Sequence, residues 1–257
     1  RYGVTQALLD AVAKSKGEMM AQVIADEYNT EVSKTIIPLF SQSGDDRYLN
    51  ADKMIMKQAP VLPHALFNNV ATKCGMKGEK IKEYLDWLKN RILTHRPEES
   101  YHPNIHIDVY GTLGIIFDND LEAIASYIGE LAEITKPFSL RVEGPVDMGA
   151  KDLQIEAMKT ICEKIDEKGI DAQIVADEWC NTLEDIIDFS KAKAGHIIQI
   201  KTPDLGGINN SIEAVLYCKE HGVGAYLGGT CNETNRSSEV CAHVAMATSP
   251  SNLILGI

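Results

Sequence analysis

Eight times along its 257 residues the chain follows a short apolar run with an amphipathic stretch, and that alternation restricts the folds open to it more than any other feature. The apolar runs are 35–42 (TIIPLFSQ), 59–65 (APVLPHA), 104–110 (NIHIDVY), 138–144 (FSLRVEG), 171–177 (DAQIVAD), 196–201 (HIIQIK), 224–228 (GAYLG) and 252–257 (NLILGI). The clearest helical segments between them are 78–95, 119–136, 151–169 and 211–222. Asn119 is placed to cap one of these, and Gly169 and Gly222 to end two others in the left-handed conformation. Alternation at these lengths implies parallel strands joined by right-handed crossovers. Eight units favour a (β/α)8 TIM barrel over an open doubly wound sheet. The open sheet's usual mark, a GxGxxG after the first strand, is absent, and so is any GxxxxGK[ST].

Ahead of the first strand, residues from about Thr5 to Glu27 read as one long helix, with Leu8, Leu9, Val12, Met19, Met20 and Val23 at helical spacing. The expected organisation is one catalytic domain over 1–257, a leading helix in 1–30 and the barrel in 31–257, with no linker between. The sequence lacks an initial methionine and stops on the eighth strand with no helix after it, which reads as a piece of a longer protein. Composition narrows the partners. With 37 acidic against 25 basic side chains, a net charge of −12, the chain is ill suited to the phosphates of a nucleic acid. It has no apolar run long enough to span a membrane and no signal-peptide layout at its start. Six scattered cysteines without a CxxC pair read as reduced thiols, so the expected location is cytoplasmic.

Function is read from the polar residues that end the strands, because a barrel collects its chemistry at the C-terminal tips. Strands three, four and five end in Asp108, Glu143 and Asp177, and the sixth ends in Lys201. Any one of these acids alone reads more readily as a helix cap or a solvated loop residue than as a ligand. Three at consecutive tips would converge, and converging carboxylates repel unless a cation lies among them. An all-oxygen set suits a hard ion, Mg2+ first and Mn2+ second. A metal and partial burial both disfavour an ammonium, so Lys201 is a candidate general base, the alternative being a structural salt bridge. Gln199 shares its face. His64, after the second strand, is placed to offer an acid or base to the other side of a substrate, or else is a structural histidine. GGTCNETN (228–235) follows the seventh strand, and two readings stand: an anion-binding turn using the Cys231 amide, or a plain turn capped by Thr230 or Asn232. Glu178 is set aside because alternation points it away. His106 shares a face with Asp108 and reads as interior packing or as a support behind the acids, while His95, His102, His221 and His243 are given no role.

The three acids and the lysine resemble the enolase superfamily, whose members abstract a proton beside a metal-stabilised carboxylate. Within it, PLFSQS, LPHALFNN, HIDVYGTLG, RVEGPVDMG, VADEWCNT, IQIKTPDLGG and GGTCNETNRSSEV resemble the methylaspartate ammonia-lyase family, in order, between residues 37 and 240. The resemblance implies that Asp108, Glu143 and Asp177 hold Mg2+ and that Lys201 takes the proton from the carbon bearing the methyl group. It implies that His64 stands on the opposite face and serves the epimeric substrate. Gln42, Gln199, Thr230 and the Cys231 amide would then fix the substrate's carboxylates and amino group. The implied reaction is loss of ammonia from L-threo-3-methylaspartate to give mesaconate, in glutamate fermentation. The family also implies a potassium activator, a homodimer and an N-terminal capping domain that this sequence lacks, without which turnover is expected to be poor. The rival expectation is another superfamily lyase or racemase acting on a carboxylate substrate.

Overall fold

The computed structural model describes residues 1–44, 46–228 and 234–254, the side chains of 253 and 254 excepted. In chain order the elements are α1 (Tyr2–Lys16), α2 (Met20–Tyr28), β1 (Leu39–Phe40), α3 (Leu49–Met56), β2 (Val61–Leu66) and a π-helical turn (Val70–Cys74). There follow α4 (Glu79–His95), β3 (Asn104–Asp108), α5 (Thr112–Ile116), α6 (Leu121–Thr135), β4 (Leu140–Glu143), α7 (Lys151–Glu167) and β5 (Ala172–Ala176). The last are α8 (Leu183–Ala192), β6 (Ile197–Ile200), α9 (Ile208–Glu220), β7 (Gly224–Gly228), α10 (Asn235–Thr248) and β8 (Asn252–Ile254). The strands succeed one another in chain order, which is the (β/α)8 barrel topology the alternation predicts. Two compact units divide the chain, one of Phe40–Trp179 with Ala192–His196, the other of Arg1–Leu39, Cys180–Lys191 and Ile197–Ile257.

In the first unit β1 to β5 pair in parallel, with Phe40 beside Val61, Ile105 beside Leu140, Asp108 beside Glu143, and Glu143 beside Val175. Their apolar face is branched and fully buried: Ile105, Ile107, Leu140, Val142 and Ile174 expose nothing. Each such side chain stabilises the fold by about 1.5–3 kcal/mol. The helices answer with apolar residues three and four apart: Ile81, Leu85, Leu88 and Ile92 on α4, Ile124, Ile128 and Leu131 on α6, Met158, Ile161 and Ile165 on α7. Helix α6 is capped by Asp120, whose carboxylate accepts the N–H groups of Glu122 and Ala123, not by Asn119. Asn119 sits one residue earlier at φ 55°, inside the turn that precedes the cap. Gly169 ends α7 at φ 61°, as its position predicts.

In the second unit β6, β7 and β8 pair in parallel, Gln199 beside Tyr226 and Tyr226 beside Asn252. The leading segment is two helices, not one. Gly17 adopts φ 69° and turns its N–H back onto Ala13 and Lys14, ending α1 before α2 begins. Helix α10 is capped by Thr234 in a reciprocal pair, the Ser237 N–H donating to the Thr234 hydroxyl and the Thr234 N–H to the Ser237 hydroxyl. It is therefore capped two and four residues later than the expectation of Asn232 or Thr230, both of which lie outside the described residues. Gly222 follows α9 at φ 64°, as expected. Among the described residues no helix is long and apolar enough to cross a membrane.

Candidate metal and acid–base site

Strand alternation builds the acidic part of the site. On β3, Ile105 and Ile107 share one face, and His106 and Asp108 the other; on β4, Arg141 and Glu143 share the matching face. The register sets His106 beside Arg141 and Asp108 beside Glu143 at the C-terminal ends of neighbouring strands. Asp177 lies one residue beyond the end of β5. All three acids are buried, with 6 %, 1 % and 8 % of their surface accessible. Asp108 accepts the N–H of Tyr110 at 3.0 Å. Burial, and then the charge of Glu143 beside it, push the Asp108 carboxyl up to about 7. Glu178 adds a smaller share to that repulsion.

Two histidines meet this cluster. His64 lies where β2 slips register against β3, between Pro63 and Ala65, at φ 51°. A bulge of this kind re-aims a side chain. His64 Nε2 stands 3.4 Å from Glu143 Oε2, with 13 % of the side chain accessible. Burial alone would lower its pKa, but Glu143, Asp108 and Asp177 together outweigh it and raise the imidazole to about 9. His106 is fully buried, and its Nε2 lies 2.6 Å from the same Glu143 oxygen. A carboxylate only accepts, so the imidazole nitrogen carries the proton. Burial holds the His106 ring down to about 4, neutral at physiological pH. Burial by itself would raise Glu143, yet the charge of His64 and the hydrogen bond from His106 keep it well below the usual carboxylate range. Phe40 packs on both rings, 4.4 Å from His106 and 5.4 Å from His64 between centroids.

The donor chemistry fits a divalent cation. Three buried carboxyl groups stand at consecutive strand ends, and His64 offsets one charge among them. Among the described residues, His64, His106 and Glu143 bring their ligand atoms within 4.8 Å of one another. Asp108 and Asp177 flank that trio without belonging to it. Thus Asp108, Glu143 and Asp177 all act on His64, and the tightest cluster centres on Glu143. His106 is the residue whose part the sequence left open between packing and support. Its shared face with Asp108 was the available signal.

Gln42 is exposed, two residues past Phe40. Its neighbours Ser41 and Ser43 donate to Val61 and Pro63 carbonyls, which holds this segment alongside β2. The remaining sequence-predicted residues belong to the second unit. Gln199 is buried on β6, and Lys201 follows the strand by one residue, in a turn closed by the Asp204 N–H on its carbonyl at 3.0 Å. The next residue, Thr202, takes a hydrogen bond from the Tyr2 hydroxyl at 3.0 Å and contacts Cys241 Sγ at 3.3 Å, anchoring that turn to α1 and α10. Thr230 and Cys231 lie outside the described residues.

The methylaspartate ammonia-lyase C-terminal family matches residues 31–256, and the corresponding N-terminal family matches residues 1–29. Methylaspartate ammonia-lyase of Clostridium tetanomorphum is 58 % identical over 247 residues, covering 96 % of this chain and 60 % of its own length. A crystal structure of beta-methylaspartase from Clostridium tetanomorphum, an Mg complex, superposes with a TM-score of 0.95 at 56 % identity, over 98 % of this chain and 61 % of that one. The Citrobacter amalonaticus enzyme containing (2S,3S)-3-methylaspartic acid superposes with a TM-score of 0.97 at 52 % identity, over 98 % and 62 %. The chain therefore spans about 60 % of the length of the relatives it matches.

Proposed function

Since the chain belongs to the methylaspartate ammonia-lyase family, we propose that it removes ammonia from L-threo-3-methylaspartate and leaves mesaconate. The observation that carries this reading is the buried trio Asp108, Glu143 and Asp177 at three successive strand ends. These residues would hold Mg2+, with Mn2+ a chemically similar substitute. Bound there, the ion supplies positive charge to a substrate carboxylate, easing loss of the proton on the adjacent carbon. An Mg complex of one relative and a methylaspartate-containing structure of another support the assignment.

In this reading Lys201 takes the proton from the methyl-bearing carbon. The electron pair left behind forms the double bond to the neighbouring carbon, whose bond to nitrogen breaks as ammonia departs. In the family's pattern His64 would serve as base for the epimer. Its place within reach of Glu143 gives the site a group able to carry or release a proton. Gln42, Gln199, Thr230 and the Cys231 amide orient the substrate's carboxylates and amino group. Family membership alone supports a potassium activator, a homodimer, a cytoplasmic location and a role in glutamate fermentation.

The test is ultraviolet detection of mesaconate from 3-methylaspartate. Product is expected with Mg2+ and not after chelation. In Lys201→Ala the rate should fall by about 10²–10⁴-fold, the usual worth of a general base, while Mg2+ binding persists. Mesaconate formed from the threo substrate by Lys201→Ala at the parent rate would remove Lys201 from its role. No product from the unsubstituted full-length protein with Mg2+ would end the reading as a whole.

A further inference from the structure

We infer that His106 is a positioning residue for the proposed metal site: its Nε2–H engages one oxygen of Glu143 and fixes the carboxylate that the cation is to meet. This rests on the reading of Asp108, Glu143 and Asp177 as the Mg2+ ligands. Four observations carry it. The hydrogen bond is short, 2.6 Å, and both partners are sealed from water, with 0 % and 1 % of their side chains accessible. A donor bonded to a carboxylate in such surroundings is worth more than a neutral pair. The bond crosses from β3 to β4 one pleat on, because the register puts His106 beside Arg141, two residues before Glu143. Reaching that far needs a side chain as long as imidazole, with its donor at the far nitrogen.

The ring is itself held. Phe40 lies 4.4 Å from it at 34°, and His64 lies 5.4 Å away on another side. Simple core filling would be better met by leucine, since a fully buried imidazole loses its hydration and must recover a partner. A glutamate left to itself rotates about three side-chain torsions, and ordering it on ion binding costs affinity. His106 meets that cost during folding instead. His64 approaches the same oxygen only to 3.4 Å and from the side that remains accessible, so it is the weaker anchor.

The experiment measures divalent-ion affinity directly, by calorimetry with Mg2+ and by the electron paramagnetic resonance of Mn2+, in four variants. His106→Leu fills the space without a donor and should bind about 10–100-fold more weakly, the usual effect of losing a partner of a metal ligand. His106→Gln carries an amide N–H at the distance of Nε2 and should recover most of that affinity. His106→Asn, whose amide reaches only the Nδ1 position, should behave like His106→Leu and stands in for it if the leucine variant does not fold. Glu143→Gln tests the underlying reading. Parent-like affinity in His106→Leu, with binding lost in Glu143→Gln, overturns the role of His106 and leaves the metal site standing. Equal weakening in His106→Gln and His106→Leu also overturns it, because shape rather than the donor would then matter. Parent-like affinity in Glu143→Gln overturns both.

Discussion

Residue by residue, the acids were legible because period-two alternation holds as long as a strand lasts. Asp108 and Glu143 close their strands, so pattern and place agree. Beyond Ala176, where β5 ends, and with Trp179 at φ 70°, alternation no longer governs where Glu178 points. The two imidazoles gathered on Glu143 depend on a register slip at His64, which no periodicity announces. The cysteines were read as reduced, and the five described ones are buried without a disulfide. Burial pushes Cys162 up to about 12 and Cys218 up to about 11, so neither is a thiolate near neutrality. In a Cys231→Ser variant, an aromatic disulfide reagent should therefore release well under one equivalent of thiol from the native protein, and five after denaturation. A rapid native equivalent would reveal a reactive thiolate that these environments do not provide.

Among the elements, the strands and the longest helices were readable, and their ends less so. The run 35–42 predicted a strand that proves to be only Leu39–Phe40, since apolar content does not say how many residues find a ladder partner. The leading helix was read as continuous because its apolar spacing runs on across Gly17, while the break is made by backbone conformation. Two glycines separate backbone strain from crowding. A Cβ on Gly17 would meet nothing within 4 Å, so Gly17→Ala should cost about 1–2 kcal/mol for the left-handed conformation alone. Gly78 has φ 75°, and a Cβ there would run into the Tyr127 hydroxyl, which itself donates to the Gly78 carbonyl at 2.7 Å. Gly78→Ala adds overpacking to the same strain and should cost about 2–5 kcal/mol. Urea midpoints at unchanged m-value check the order. Equal losses at the two positions would mean that Tyr127 yields freely.

For the whole molecule, the eightfold alternation fixed the barrel topology, because crossover chemistry leaves few alternatives. The partition into two compact units left no trace in the sequence, since both interleave the same strand–helix unit. The acid cluster links the proposed site to the stability of the entire fold. Asp108 is pushed up to about 7 by burial and by Glu143, so the native state without a cation carries repulsion that the unfolded chain escapes. An ion bound only by the native state stabilises it by RT ln(1 + [L]/Kd), about 2.7 kcal/mol at a hundred times Kd. At this chain length each kcal/mol moves the melting temperature by about 2–4 °C, so saturating Mg2+ should raise it by about 5–10 °C and chelation should reverse the rise. A net charge of −12 means that any salt relieves some general repulsion, so the comparison is made at matched ionic strength with a monovalent salt. The Mg2+ shift should vanish in Asp177→Asn and in Glu143→Gln, and Glu143→Gln should also melt below the metal-free parent, because the charge it removes is the one that His64 and His106 hold in place. An identical Mg2+ shift in those variants, or an equal shift with the monovalent salt, would detach the cation from the three strand ends.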